Sequence, residues 1–163
     1  MQSYIIGHLY ETDYTPEQFL QLVKWCRKHG ADEWTLTTTP IKNDRSGAIR
    51  HFEEVNEPFR LPPAERRQLT MSGGKPFLRP TPLWRLNTDA LNTLQQFLPE
   101  GLFSYSEETG GVFEDPVFYR NGELMLGVVS HEEEGIIRVT PEEYRSLRAQ
   151  DFIIRDFGTY VGY

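Results

Sequence analysis

The chain has 163 residues, of which 17 are Lys or Arg and 24 are Asp or Glu, so its formal net charge is −7. A hydrophobic fraction of 38% and an aromatic fraction of 13% exclude a disordered chain, and no apolar run approaches the roughly 20 residues of a membrane helix. The N-terminus has no basic region followed by an apolar core, so no signal peptide is expected. The single cysteine, Cys26, favours a reducing cytoplasm. The composition predicts one acidic cytoplasmic domain over 1–163 with no membrane partner.

The first helix has the clearest local pattern. Thr15-Pro16-Glu17-Gln18 predicts its start, because Thr suits the N-cap, Pro the first helical position, and Gln completes a capping box. An apolar stripe follows at helical spacing, and its members are Phe19, Leu22, Val23 and Cys26. Gly30 is a typical C-terminal stop. Thr140-Pro141-Glu142-Glu143 predicts a second helix that opens in the same way.

The other elements are predicted from alternation and turn residues. A third helix is expected over 88–98, and strands over 4–10, 33–39, 102–106, 117–120, 123–129, 136–139 and 152–155. Asn121-Gly122 predicts a two-residue hairpin that places Arg120 opposite Glu123 and Phe118 opposite Met125. Prolines make the segment 40–82 the least regular part of the chain, an ordered loop in which helical turns over 63–71 and one strand are options. This predicts an α+β single domain with a mixed, mainly antiparallel sheet, about three helices and a C-terminal hairpin.

Charge is distributed unevenly along the chain. Residues 1–99 carry 12 basic and 11 acidic side chains, whereas residues 100–163 carry 5 basic and 13 acidic ones, a net of −8. The segment 42–85 is locally basic and interleaves Arg with Phe and Trp, as nucleic-acid surfaces do. An acidic molecule would nevertheless be repelled by a phosphate backbone. No nucleic-acid partner is therefore expected, and we expect the arginines to pair with the acidic third of the chain.

Two acidic segments are candidate partner-binding sites. The turn 130–135 contains a histidine and three glutamates, and four more carboxylates flank Gly110-Gly111. Neither segment has the spacing of a zinc-protease or EF-hand motif, so no metal or cofactor is predicted. Solvated loops are the plainest interpretation, but an acidic surface is favoured if both segments lie together in space. With one tryptophan, the candidate partner-binding residues are Glu107, Glu108, Glu114, Asp115, His131, Glu132, Glu133, Glu134 and Trp25.

The sequence assigns no catalytic residue. Ser72-Gly73-Gly74-Lys75-Pro76 lacks the spacing of a phosphate-binding loop and is expected to be a plain turn. Cys26 lies on the apolar stripe and is expected to be a buried small hydrophobe rather than a nucleophile. Trp25 lies off that stripe, so it is either an exposed contact anchor or covered by the proline-rich segment.

One segment resembles a known group of proteins. The run from Glu114 through Asn121-Gly122 to Glu132 is similar to a hairpin of small uncharacterised bacterial proteins of the toxin-immunity type. The resemblance implies a binding protein and no catalytic residues. The first hypothesis is thus a small acidic domain that binds, and as an immunity or inhibitor protein neutralises, a basic protein such as a toxin. A small hydrolase or transferase using His51 or His131 with carboxylates is one alternative, and a non-catalytic subunit of an assembly is another.

Overall fold

The structure is a computed structural model that describes residues 2–38, 47–68, 77–101 and 113–161. The strands are β1 (Ser3–Tyr10), β2 (Glu33–Thr38), β3 (Arg60–Gln68), β4 (Phe77–Arg85), β5 (Phe113–Arg120), β6 (Glu123–Val129), β7 (Glu134–Val139) and β8 (Arg155–Val161). The helices are α1 (Pro16–Lys28), α2 (Ala48–Asn56), α3 (Thr88–Phe97) and α4 (Pro141–Ala149). Short 3-10 turns occupy Glu11–Asp13, Glu57–Phe59 and Ser130–Glu132.

All eight strands belong to one sheet, in the order β3-β4-β2-β5-β6-β7-β1-β8. Neighbours in this order pair antiparallel, and β3 also pairs parallel with the start of β6, where Arg67 lies opposite Glu123. Because of this last pairing, β3, β4, β2, β5 and β6 form a closed ring of strands. The predicted α+β class with a mainly antiparallel sheet is confirmed, and the described residues form four helices where about three were expected.

The two faces of the sheet bury separate apolar clusters. The larger cluster lies between the sheet and the helices and includes Trp34, Phe118 and Ile137. The smaller one lies on the other face, and its buried members are Leu83, Val117, Tyr119, Leu124 and Ile136. Adjacent residues of β5 thus belong to different clusters, as alternation along a strand requires.

Both predicted capping boxes are present. At α1 the backbone N–H of Gln18 donates to Thr15 Oγ1 at 3.2 Å, and that of Thr15 donates to Gln18 Oε1 at 2.7 Å. At α4 the N–H of Glu143 donates to Thr140 Oγ1 at 3.2 Å, and that of Thr140 donates to Glu143 Oε2 at 2.8 Å. Each helix start is therefore fixed by two local hydrogen bonds that are readable in the sequence.

The hairpin between β5 and β6 forms at the predicted turn, but its register is only partly as predicted. Asn121 and Gly122 have φ values of 52° and 76°, the left-handed conformations that such a turn needs. Arg120 pairs with Glu123 as expected, whereas Phe118 pairs with Leu126 rather than with Met125. An extra residue on β6 produces this shift, because a bulge sets two residues of one strand against one of the other.

The interpretation of 40–82 as mainly irregular loop is wrong over the part that the structure describes. Helix α2 and the antiparallel pair β3 and β4 lie there, and residues 63–68 are strand rather than helical turns. Strand β2 pairs with β4 only at Arg85 and Trp84. Pro80 and Pro82 therefore lie in a part of β4 that donates no hydrogen bonds to β2, which is where a strand tolerates proline.

Three further predictions concern single segments. The last strand begins at Arg155, so the prediction of a strand over 152–155 is wrong except at its final residue. The predicted strand 102–106 and the turn 72–76 lie outside the described residues.

Candidate binding site at the acidic end of the sheet

The two acidic segments meet where β5 begins and β6 ends. The backbone N–H of Ser130 donates to Asp115 Oδ1 at 2.7 Å, and the N–H of Asp115 donates to Ser130 Oγ at 2.9 Å. Asp115 has a left-handed backbone with φ of 51°, which Asp tolerates better than most residues. These reciprocal hydrogen bonds hold the start of β5 against the turn that carries Glu132 and Glu133.

A third acidic segment, which the sequence did not indicate, joins them from the far N-terminal part of the chain. The N–H of Glu11 donates to the carbonyl of Glu133 at 3.0 Å, and Tyr10 pairs with Glu134 across β1 and β7. The turn after β1 therefore adds two carboxylates. We define the acidic end of the sheet as Glu11, Asp13, Glu114, Asp115, Glu132, Glu133 and Glu134.

The carboxylates of the acidic end differ in exposure and pairing. Glu132 and Glu133 are exposed, whereas Glu114, Asp115 and Glu134 are half-buried. Arg155 donates two hydrogen bonds to Asp13, at 2.7 Å and 2.8 Å, and these lower the pKa of that carboxyl. The surface is therefore negatively charged at neutral pH, with its exposed charge concentrated at the turn 130–134.

The remaining predicted partner-binding residues are located as follows. Glu107 and Glu108 lie outside the described residues, and the backbone of His131 belongs to the 3-10 turn while its side chain is not described. Trp25 is only 5% exposed, and its ring stacks on that of His29 with centroids 3.8 Å apart. The option of an exposed contact anchor at Trp25 is therefore wrong, because Trp25 is buried together with the apolar stripe of α1.

A polar cluster beneath α1 has a structural role. Arg120 donates to Glu143 at 2.7 Å and 3.3 Å and to the carbonyl of His29 at 3.1 Å. Burial raises the pKa of Glu143, but the hydrogen bonds from Arg120 and from the Thr140 backbone, with the nearby charges of Arg120 and His29, lower it by more. Burial also raises the pKa of the neighbouring Cys26 thiol. Cys26 is thus a buried hydrophobe, as predicted, and is held as the unreactive thiol.

One of the two histidines named for a catalytic alternative has an amide partner. His51 is exposed, and its Nε2 lies 2.9 Å from Nε2 of Gln96. Among the described residues, no group of three or more His, Cys, Asp or Glu side chains is arranged to hold a metal ion.

The basic segment forms ion pairs with itself. Arg50 pairs with Glu54 at 3.0 Å and Arg60 with Glu57 at 3.6 Å. For these two arginines the expected pairing with the acidic third of the chain is wrong, because each pairs with a carboxylate only three or four residues away in the sequence.

Comparisons with protein-family models, with curated proteins and with solved structures each found no match to this chain. In the part of the chain that the structure describes, every helix is too short or too polar to cross a bilayer.

Proposed function

We propose that this chain is a cytoplasmic protein-binding domain that recognises a basic protein through the acidic end of its sheet. An immunity or inhibitor protein that neutralises a basic toxin is the kind of protein that fits this role. The observation that carries the proposal is the convergence of three sequence-distant acidic segments through the Asp115–Ser130 and Glu11–Glu133 hydrogen bonds. Clustered carboxylates speed the encounter with a basic partner and exclude acidic ones.

The geometry gives this surface the rigidity that recognition needs. Glu133 directly precedes β7 and Glu134 is the first residue of that strand. Strand β7 lies in the interior of the sheet, between β6 and β1. The exposed charges of Glu132 and Glu133 are thus presented from a hydrogen-bonded turn, so little backbone entropy is lost when a partner binds them. A toxin that acts on nucleic acid would carry the complementary positive charge, because its own site must attract phosphate.

The test compares two variants with equal net charge. In the first, Glu132→Gln, Glu133→Gln and Glu134→Gln are combined at the acidic end. In the matched control, Glu53→Gln, Asp89→Asn and Glu142→Gln remove three exposed carboxylates from α2, α3 and α4. A tagged wild-type chain first captures its partner from a lysate of the organism that encodes it, at low and at high salt. The association rate of the purified partner is then measured with each variant.

We expect a basic, salt-sensitive partner whose association slows about tenfold with the acidic-end variant and much less with the control. At about 150 mM salt, where charges beyond about 8 Å are screened, both variants keep the thermal midpoint of the wild type. Equal slowing by both variants would show a non-local effect of net charge and would contradict the proposal. So would a partner that is captured equally well by the acidic-end variant at low salt.

A further inference from the structure

A groove between α1 and α3 opens beside the acidic end. One part is a cavity of about 150 Å³ whose lining combines Phe19, Leu20, Leu94 and Leu98 with the polar residues Glu17 and Gln95. The other part is a cavity of about 310 Å³ lined by Tyr14, residues of the turn after β1 and Glu100. The two cavities share Pro16, Phe19 and Gly101, so they form one continuous depression.

The floor of the groove is held in place by packing and by a hydrogen bond. The rings of Tyr14 and Phe19 are stacked with centroids 4.6 Å apart. The Tyr14 hydroxyl donates to the carbonyl of Ile153 at 2.6 Å. Phe19 also belongs to the main apolar cluster. The depression is therefore a preformed feature of the fold, as binding pockets usually are.

The charged residues that line the groove are acidic. Glu11, Glu17 and Glu100 line it, and no Lys or Arg is among the described residues that line either cavity. Glu11 belongs to both the groove and the acidic end, since its N–H is bonded to the Glu133 carbonyl. The groove thus continues the acidic surface and adds aromatic and aliphatic side chains to it.

We infer that this groove binds a segment of the basic partner protein in which a bulky apolar side chain is flanked by Lys or Arg. The side chains of Phe19, Leu20 and Leu94 in the groove would contact the apolar anchor of this segment. The flanking cations face the carboxylates at the rim. This inference rests on the proposed function. The groove binds the anchor residue of the basic partner, whereas the acidic end attracts that partner during its approach.

Short peptides test the groove on the full chain. The probe is a pentapeptide with a central Phe between two pairs of lysines, titrated into the isotope-labelled protein and followed by amide NMR shifts. Two comparison peptides carry Ala in place of Phe, or Glu in place of the lysines. We expect saturable shifts at Leu20, Leu94 and Gly101, about tenfold weaker binding of the Ala peptide, and no binding of the Glu peptide.

Matched variants locate the binding. Gln95→Trp places an indole in the groove from an exposed position of α3 and should weaken binding at least tenfold, whereas Asn92→Trp on the same helix, outside the lining, should not. Glu17→Gln should weaken binding about threefold. Glu142→Gln is its control, because it occupies the same place in the second Thr-Pro-Glu helix start.

Absence of shifts in the groove, or insensitivity to Gln95→Trp, would overturn the inference. Equal binding of the Phe and Ala peptides at Glu132 and Glu133 would also overturn it, while leaving the acidic end intact as a binding surface. If the groove binds the Phe peptide but the association rate of the partner is the same for wild type and the acidic-end variant, the proposed function fails. The groove would then remain a peptide-binding site.

Discussion

Arg120 joins three elements that are distant in sequence. It lies at the end of β5, donates to Glu143 in the first turn of α4, and donates to the carbonyl of His29 at the end of α1. Its side chain is 16% exposed and that of Glu143 is 17% exposed. A charged pair so far removed from water is costly to break from one side, because the remaining charge stays desolvated without its partner.

The pH dependence of stability tests this pair. The pKa of Glu143 is lowered in the folded protein, so its contribution is present above its ordinary pKa and disappears as the pH falls through the lowered value. We expect Glu143→Gln to reduce the free energy of unfolding by about 2 kcal/mol at neutral pH. The difference from wild type should shrink below a pH of 4.5, the ordinary pKa of this carboxyl.

Urea unfolding of the wild type and of Glu143→Gln between about pH 3 and pH 7 measures the difference in unfolding free energy at each pH. The neighbouring Glu142→Gln is the control, since Glu142 is exposed and should change the free energy of unfolding by less than about 0.5 kcal/mol throughout. A Glu143→Gln deficit that stays constant with pH would show that the carboxylate charge is not the stabilising feature.

At the scale of the elements, the two capping boxes predict matched effects on helix stability. In Thr15→Ala and Thr140→Ala the N3 backbone N–H loses its acceptor, and each should cost about 1 kcal/mol of unfolding free energy. Thr140→Ala should cost more, because Glu143 uses the same capping geometry to face Arg120. The Thr→Ser variants keep the hydroxyl and should remain close to wild type. Chemical denaturation with equal m-values checks this, and a loss in the Ser variants as large as in Ala would contradict it.

The best-defined predictions rest on local sequence signals at helix starts and at a turn. Helices α1 and α4 were predicted from their Thr-Pro starts, and the turn of the hairpin was predicted from Asn121-Gly122. In each case the hydrogen bonds join residues at most a few positions apart. The bulge that shifts Phe118 to Leu126 was not predictable, because nothing in the sequence of a hairpin marks where β6 takes its extra residue.

The elements missed are those decided by distant partners. The prolines in β4 favour a loop in a prediction from sequence. Strand β4 nevertheless forms, because β3 pairs with it along its length while β2 pairs only with its end. Helix α2 was also missed, although Ala48, Phe52 and Asn56 lie on one buried face at spacings of four. The polar Asn56 interrupts the apolar pattern of this face, and nearby prolines favour a loop, so the sequence alone does not indicate the helix.

At the scale of the whole molecule, the sequence predicts which residues make the candidate site acidic but does not predict which segments lie together in space. The acidic character of Glu114, Asp115 and the turn 130–135 is plain in the sequence. Their proximity, and the addition of Glu11, depend on the order β5-β6-β7-β1 in the sheet. The groove depends likewise on the contact of α1 with α3. The burial of Trp25 was undecided because a residue beside an apolar stripe is covered only if a neighbouring element reaches it.

The concentration of negative charge at one end also predicts how the free protein responds to salt. Repulsion among these carboxylates destabilises the folded chain at low ionic strength, and raising NaCl from about 10 mM to about 100 mM shortens the Debye length from about 30 Å to about 10 Å. We therefore expect the wild-type Tm to rise by a few degrees over this range.

The triple variant Glu132→Gln, Glu133→Gln and Glu134→Gln should start at a higher Tm in low salt and rise less. The control with Glu53→Gln, Asp89→Asn and Glu142→Gln has the same net charge, because it too removes three carboxylates, and should keep the response of the wild type. Thermal unfolding by circular dichroism at the two salt concentrations decides between these outcomes. If the two triple variants respond alike, the repulsion belongs to the net charge of −7 as a whole and the acidic end is not a local concentration of field.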